Sequence, residues 1–349
     1  MKLLEYLNQG KTYIIAEMSG NHGGSLERAL DIVRAAAEAG ADCLKIQTYT
    51  ADTLTIDCKT EPFLVKTGLW EKQYLYQLYQ QAFTPWEWHQ AIKDEAEKAG
   101  LDFLSTPFDF TSVDFLEDLG MEFYKIASFE AIDIPLIKKI ALTGKPIVMS
   151  CGMASIEEIQ EAVDTIRSFN QNALVLLKCS SSYPADFETM HLSTIADMKT
   201  RFQTHIGLSD HSAGSLASVA AVACGAVVIE KHFCITRADE TVDSAFSMEK
   251  EEFAAMVSDI RNVEAAFGKA SYGPSPAEAQ SYAHRRSLFA VMDIKEGEAF
   301  TSENVRSIRP ACGMHTRYYE KLIAQGHASR DIAFGTPLSF DDVIDKSIF

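Results

Sequence analysis

The chain has no apolar run long enough to cross a bilayer, no CxxC pair, no GxGxxG turn, and far fewer basic than acidic side chains. Each deficit argues against a class of function. Lys and Arg number 32 against 49 Asp and Glu, a formal net charge of -17, which speaks against a sequence-independent attraction to nucleic acid or to an anionic membrane. An anionic ligand would have to be held by positive groups concentrated locally. The seven cysteines (Cys43, Cys58, Cys151, Cys179, Cys224, Cys234, Cys312) are odd in number and scattered, so neither a disulfide framework nor a zinc ribbon is indicated, and they read as small buried hydrophobes. The first twenty residues, MKLLEYLNQGKTYIIAEMSG, lack the long apolar segment and small-residue cleavage site of a secretory signal. Cytoplasm is the expected compartment. Repeats and low-complexity tracts are absent.

What is there is regular alternation. Short β-branched or apolar runs, YIIAEM at 13, CLKIQT at 43, DFLSTP at 102, FYKIAS at 123, PIVMSCG at 146, ALVLLKCS at 173, HIGLSD at 205 and VVIEKHF at 227, are separated by amphipathic patterns such as SLERALDIVRAAAEAG and SIEEIQEAVDTIRSF. Several of these end on Gly, as helix C-caps do. Eight successive strand-then-helix units predict an α/β fold, a (β/α)8 barrel over residues 1–267, whose usual length is about 250 residues. The alternative, an open doubly wound sheet, would favour a glycine-rich turn after the first strand. One long insertion, Tyr49 to Thr84, follows the second strand and has the length of a lid or substrate-binding loop. Residues 268–284, GKASYGPSPAEAQSYAH, have linker composition. Residues 285–349, punctuated by KEGE and FGTP turns, predict a small β-rich domain.

In such barrels the chemistry sits at the C-terminal ends of the strands. Those positions hold Glu17, Asn21 and His22; Lys45 and Gln47; Ser105 and Thr106; Lys125, Ser128 and Glu130; Ser150; Lys178, Ser181 and Tyr183; Ser209, Asp210 and His211; and Glu230, Lys231 and His232. Any one of these could be a satisfied polar residue at a strand end. Together, lysines and hydroxyls make a cradle for a small phosphorylated or carboxylated anion. His211 closes the seventh strand and His232 the eighth, and adjacent strands lie about 4.8 Å apart, so two imidazoles could share one ion. Glu17 on the neighbouring first strand and Asp239, Glu240 and Asp243 beyond the eighth could add oxygen ligands. That donor set favours an ion of the Mn²⁺, Fe²⁺, Co²⁺ or Zn²⁺ type over calcium. His22 and His89 are not expected to be ligands, and WEWH at 86 reads as packing for the long loop.

The stretches IIAEMSGNHGGS, DCLKIQTYT, STPF, YKIASFE, GLSDHS and IEKHF, with a Tyr-Pro pair after the sixth strand, together resemble the sialic acid synthase family over the whole chain, including a C-terminal antifreeze-like (SAF) domain that carries VRSIRP. QTYTADTLT, the GLWEKQYLYQLYQQAFTPWEWH insertion and KCSSSYP are most similar to the family's pseudaminic branch. The resemblance implies metal-dependent condensation of phosphoenolpyruvate with the open-chain form of an N-acetylated amino sugar. The acceptor for this branch would be 2,4-diacetamido-2,4,6-trideoxy-L-altrose, and the products a nine-carbon 2-keto acid and phosphate. It implies His211 and His232 as ligands to a divalent ion, Mn²⁺ first, with Mg²⁺ or Co²⁺ as alternatives. Thr106, Lys125, Ser128, Ser150 and Ser209 would hold phosphoenolpyruvate, completed by Lys45, Gln47, Ser181 and Tyr183. Glu17, Glu130, Glu230 and Asp243 would move protons and hold sugar hydroxyls. Arg309 would grip the N-acetyl group from the other subunit of a domain-swapped homodimer. The neuraminate branch has Asn where Ser181 stands.

Two rival functions are compatible with these residues. A pyruvate aldolase would use Lys45, Lys125 or Lys178 as a Schiff base, its pKa lowered by burial. A non-catalytic sugar-binding protein would release no phosphate.

Overall fold

A computed structural model describes residues 1–349. The chain forms two compact units, Met1–Gly268 and Lys269–Phe349. The first contains eight parallel strands: β1 (Tyr13–Glu17), β2 (Cys43–Thr48), β3 (Asp102–Pro107), β4 (Tyr124–Ile126), β5 (Ile147–Ser150), β6 (Leu174–Cys179), β7 (His205–Asp210) and β8 (Val228–His232). Every strand falls inside one of the eight runs read from the sequence. Their order in the sheet is β3-β2-β1-β8-β7-β6-β5-β4. β3 and β4 lie side by side without a hydrogen-bonded ladder, so the ring is a nearly closed barrel.

Successive side chains of a strand point to opposite faces, and two apolar layers result. Ile14, Ala16, Leu44, Ile46, Leu176 and Leu208 pack outward under the helices. Tyr13, Ile15, Cys43, Leu104, Phe123, Val148, Val175, Leu177 and Val228 fill the lumen. The N-terminal helix Lys2–Gln9 adds Leu3 and Leu7 to that inner cluster. Its first backbone amides, on Lys2 and Leu3, donate to Asp102 Oδ2 at 2.7 and 3.3 Å, a carboxylate placed where the helix dipole favours one.

Gly207 on β7 faces the lumen. A Cβ there would collide with the Val228 carbonyl and lie 2.6 Å from Leu177 Cδ2. Only glycine lets β7 and β8 approach this closely, which explains its place in HIGLSD.

The 49–84 insertion contains helices Ala51–Leu54 and Leu75–Ala82 and a bridge between Leu64 and Tyr74. The second unit has its own core, including Leu288, Phe300, Val305, Leu322 and Leu338. Its only ladder pairs β9 (Ser287–Ala290) with β10 (Val305–Ile308), antiparallel. The remaining pairings of this unit are isolated antiparallel bridges, and it also holds the helix Tyr319–Gln325.

Candidate active site

Toward the C-terminal ends of the strands the lumen-facing positions change from apolar to polar. By the alternation just described these are Glu17, Lys45, Gln47, Thr106, Lys125, Ser150, Cys179, Ser209, Glu230 and His232. Lys45 Nζ lies 2.5 Å from Glu17 Oε2 and 3.3 Å from Glu230 Oε1, and Lys125 Nζ lies 3.9 Å from Glu230 Oε2. All four groups are buried. Lys125 donates to Ser150 Oγ at 2.7 Å and Lys45 to Thr106 Oγ1 at 3.4 Å. Gln47 Nε2 donates to Glu17 Oε1 at 3.1 Å and to Ser19 Oγ at 3.0 Å. Ser128 and Ser181 share a hydroxyl contact of 2.9 Å, and Ser209 Oγ is 3.5 Å from Glu230 Oε1.

The charges disturb one another. Burial works to raise the Glu230 pKa, but Lys125 and Lys45 outweigh it and hold it below the ordinary carboxylate value. Burial lowers the Lys125 pKa against the pull of Glu230. For Lys45 the two carboxylates outweigh burial and raise it. Burial pushes Glu130 up to about 7, so its carboxyl is half protonated near neutrality, the condition for a general acid or base.

His211 and His232 come together as the strand register requires, with ring centroids 5.3 Å apart and planes inclined at 59°. His211 Nδ1 lies 3.0 Å from the Ser180 carbonyl; as donor in that bond it leaves the Nε2 lone pair free. Burial, then the neighbouring His211 and lysines, holds the His232 pKa far below its usual value, so the ring is neutral. Buried polar atoms are normally partnered. Five in this chain are not, and four of them belong to this mouth: Glu17 Oε2, Glu130 Oε2, Glu230 Oε2 and His232 Nδ1. Glu17 Oε2 touches Lys45 as an ion pair without hydrogen-bond alignment. Orphaned atoms gathered at one place mark groups with room for a ligand, and two imidazoles side by side, that of His232 neutral, suit a divalent ion.

The carboxylates expected to join the histidines do not. No three His, Cys, Asp or Glu side chains converge as a ligand set. Glu17 is taken up by Lys45 and Gln47, Asp239 lies 3.4 Å from Arg28, Asp243 accepts from the Gly20 amide at 3.1 Å, and Glu240 ends an exposed turn.

The two-residue period also removes several strand-end residues from the mouth. Ser105 faces outward, to Thr48 Oγ1 at 2.6 Å. Lys178 donates to the Cys179 carbonyl, and Asp210 and Lys231 pair with each other behind the barrel wall. Asn21 ties the loop after β1 to Phe233 O and Ser247 Oγ. His22, lowered by burial to about 4, packs edge-on to Trp88, and His89 contacts Thr48 Oγ1 at 2.8 Å. These two are structural, and WEWH packs as expected, Trp86 lying 4.7 Å from Phe115.

Three residues were missed. Cys179 shares the lumen face of Val175 and Leu177 and sits 3.9 Å from His211 Nδ1, which the alternation of KCSSS would have revealed. Trp70 and Phe246 form an aromatic wall with Tyr183: Tyr183 is 4.4 Å from His211, Phe246 is 4.8 Å from His232, and Trp70 is 5.8 Å from Tyr183. The Trp70 indole N–H donates to Val242 O at 3.0 Å, so the insertion is anchored across the mouth. No local sequence signal links residues 70, 183 and 246. Arg309 lies in the second unit, in a hollow of about 600 Å³ that it shares with Arg285, Arg286, His284 and His315 and that no carboxylate lines.

Fold and site together define a barrel enzyme with buried lysines and hydroxyls at its mouth beside two imidazoles, His211 held to the Ser180 carbonyl and His232 with an unpartnered Nδ1. Residues 32–272 match the NeuB family. The chain is 44% identical to the pseudaminic acid synthase of Campylobacter jejuni, over 98% of this chain and 99% of that one. It is 41% identical to the pseudaminic acid synthase of Helicobacter pylori, over 95% and 97%. The N-acetylneuraminic acid synthetase structure from Leptospira borgpetersenii, in complex with citrate, superposes with a TM-score of 0.69 at 31% identity, covering 78% of this chain and 90% of that one. The chain belongs to the NeuB family.

Proposed function

We propose that this chain makes pseudaminic acid, condensing phosphoenolpyruvate with 2,4-diacetamido-2,4,6-trideoxy-L-altrose and water and releasing phosphate. Likeness to two pseudaminic acid synthases over nearly the full length supports the acceptor. The observation that carries the chemistry is the placement of buried Lys45 and Lys125, with their hydroxyl neighbours, at the same mouth as two imidazoles with free nitrogens.

Lys125, with Ser150, and Lys45, with Thr106, offset the negative charge of phosphoenolpyruvate; in a water-poor lumen such contacts are stronger than in solution. Ser128, Ser181 and Ser209 supply further donors. Tyr183 and Phe246 exclude water from the imidazole side. A divalent ion bound by His211 and His232, Mn²⁺ in the first instance, would polarise the acceptor aldehyde as a Lewis acid. The enolic carbon gains positive charge as its methylene attacks, and Glu17 and Glu230, each with an unpartnered oxygen, stabilise that charge. Water adds to this carbon, and Glu17 or Asp243 accepts its proton. The aldehyde oxygen becomes a hydroxyl by taking a proton, which Glu130, partly protonated near neutrality, supplies. Collapse of the tetrahedral centre breaks the C–O bond, so the bridging oxygen leaves with phosphate. Arg309 of a second copy, in a homodimer with exchanged antifreeze-like domains and a cytoplasmic location, belongs to the same proposal.

The test is phosphate release with purified protein, Mn²⁺ and phosphoenolpyruvate, comparing the altrose acceptor with N-acetylmannosamine and the legionaminate-type acceptor. Highest kcat/KM with the altrose supports the assignment. Equal or greater efficiency with N-acetylmannosamine moves it to the neuraminate branch. Borohydride trapping of a lysine with pyruvate, without phosphate release, would instead establish an aldolase.

A further inference from the structure

We propose that Asp210 and Lys231, which lie outside the barrel lumen, are positioning residues that fix the separation of the His211 and His232 rings and thereby the affinity for the divalent ion. This rests on the metal reading above. Asp210 and Lys231 are register partners on β7 and β8, each one residue before a histidine. Their side chains are wholly buried and 2.9 Å apart. The Lys231 ammonium also donates to the Ser212 carbonyl at 2.5 Å. One cation therefore grips the residue before His211 and the residue after it, while its own backbone leads directly into His232. On the carboxylate side, Asp210 Oδ1 accepts from Ser212 N at 2.8 Å and Ser212 Oγ at 2.7 Å, and Oδ2 accepts from Ser218 Oγ at 2.6 Å. No polar atom of Asp210 or Lys231 is left orphaned.

A buried ion pair is a poor source of stability, since desolvation consumes most of the Coulomb attraction and an apolar pair of similar shape often serves as well. Its value here is geometric. His232 Nδ1 has no hydrogen bond to orient its ring, and His211 has a single strong one, to Ser180 O. Tyr183 and Phe246 pack against the rings, but the spacing of the two residues that carry them is set by the backbone, which the Asp210–Lys231–Ser212 network rivets from behind. Groups of this kind that hold metal ligands in place typically change metal affinity 10- to 100-fold when removed.

The test uses the full chain and Mn²⁺ alone, titrated by calorimetry into metal-free protein. The double variant Asp210→Asn/Lys231→Met removes both charges while leaving an acceptor for the Ser212 amide, so the fold need not carry an unpaired buried ion. The expected result is a thermal midpoint near that of the wild type and unchanged thermal protection by phosphoenolpyruvate in EDTA, with Mn²⁺ affinity at least about tenfold weaker. Ser218→Ala, which loosens Asp210 without altering charge, is read in the same way and decides the matter if the double variant does not fold; a few-fold loss of Mn²⁺ affinity is expected. Wild-type affinity in the folded double variant, or in Ser218→Ala when it is the deciding variant, overturns the inference and leaves the metal reading standing. A wild-type protein that binds no Mn²⁺ overturns both.

Discussion

Replacing Glu130 by Gln tests the electrostatics of the mouth most directly, because one side chain links stability, pH and catalysis. Glu130 is largely buried, has an unpartnered oxygen and titrates at about 7 instead of 4.5. A carboxyl whose folded pKa exceeds its unfolded value binds its proton more tightly in the folded state. The protein is therefore favoured below the unfolded value and loses that advantage as pH rises through the folded one. At about 1.36 kcal/mol per tenfold change in proton affinity, the rise from 4.5 to about 7 corresponds to roughly 3 kcal/mol as an upper figure, reduced somewhat by residual solvent contact. Gln carries no charge at either pH. Its own amide has a burial cost, but that cost is the same at pH 4 and pH 8 and drops out of the comparison. The expected outcome is that Glu130→Gln, relative to the wild type, gains about 2–3 kcal/mol in stability between pH 4 and pH 8, most of it between pH 4.5 and 7. Urea denaturation followed by tryptophan fluorescence reads it, since Trp70, Trp86 and Trp88 all lie in the barrel unit. The same variant should lose the inflection near pH 7 in kcat/KM. A stability difference that stays constant across this range would refute the argument, and with it the use of Glu130 as a neutral-pH proton carrier.

Two further outcomes follow from the lumen. Lys125→Met removes a cation that meets Ser150 Oγ at 2.7 Å and should raise KM for phosphoenolpyruvate by one to two orders of magnitude, the size of a lost charge-assisted contact; steady-state phosphate release shows it, and an unchanged KM would place the anion elsewhere. Gly207→Ala forces a methyl against the Val228 carbonyl and Leu177 and should cost about 3 kcal/mol; a loss below about 0.5 kcal/mol in denaturation would mean that β7 and β8 part without strain.

The eight strands were legible because parallel strands buried on both faces read as short, nearly continuous apolar and β-branched runs that turn polar at their ends, and because helix stops and turns use distinctive residues. The pairing of His211 with His232 was legible for a related reason: the closing of successive parallel strands puts their last residues side by side. The second-strand insertion announced itself by length. The facing of Lys178, Asp210, Lys231 and Cys179 was within reach as well, since counting by twos from Val175, Ile206 and Val228 separates lumen from wall.

Chemistry at the mouth was a tertiary matter. Glu17 could be placed beside β8 from sequence, but that its carboxylate meets Lys45 at 2.5 Å and Gln47 at 3.1 Å depended on how three strands pack around the lumen. The aromatic wall joins Trp70, Tyr183 and Phe246 from loops after β2, β6 and β8, and the elevation of Glu130 to about 7 comes chiefly from burial. Periodicity determined which way each side chain points along its own strand; packing between segments distant in the chain determined what it meets there, because contact energies depend on distance in space and local sequence records only distance along the backbone.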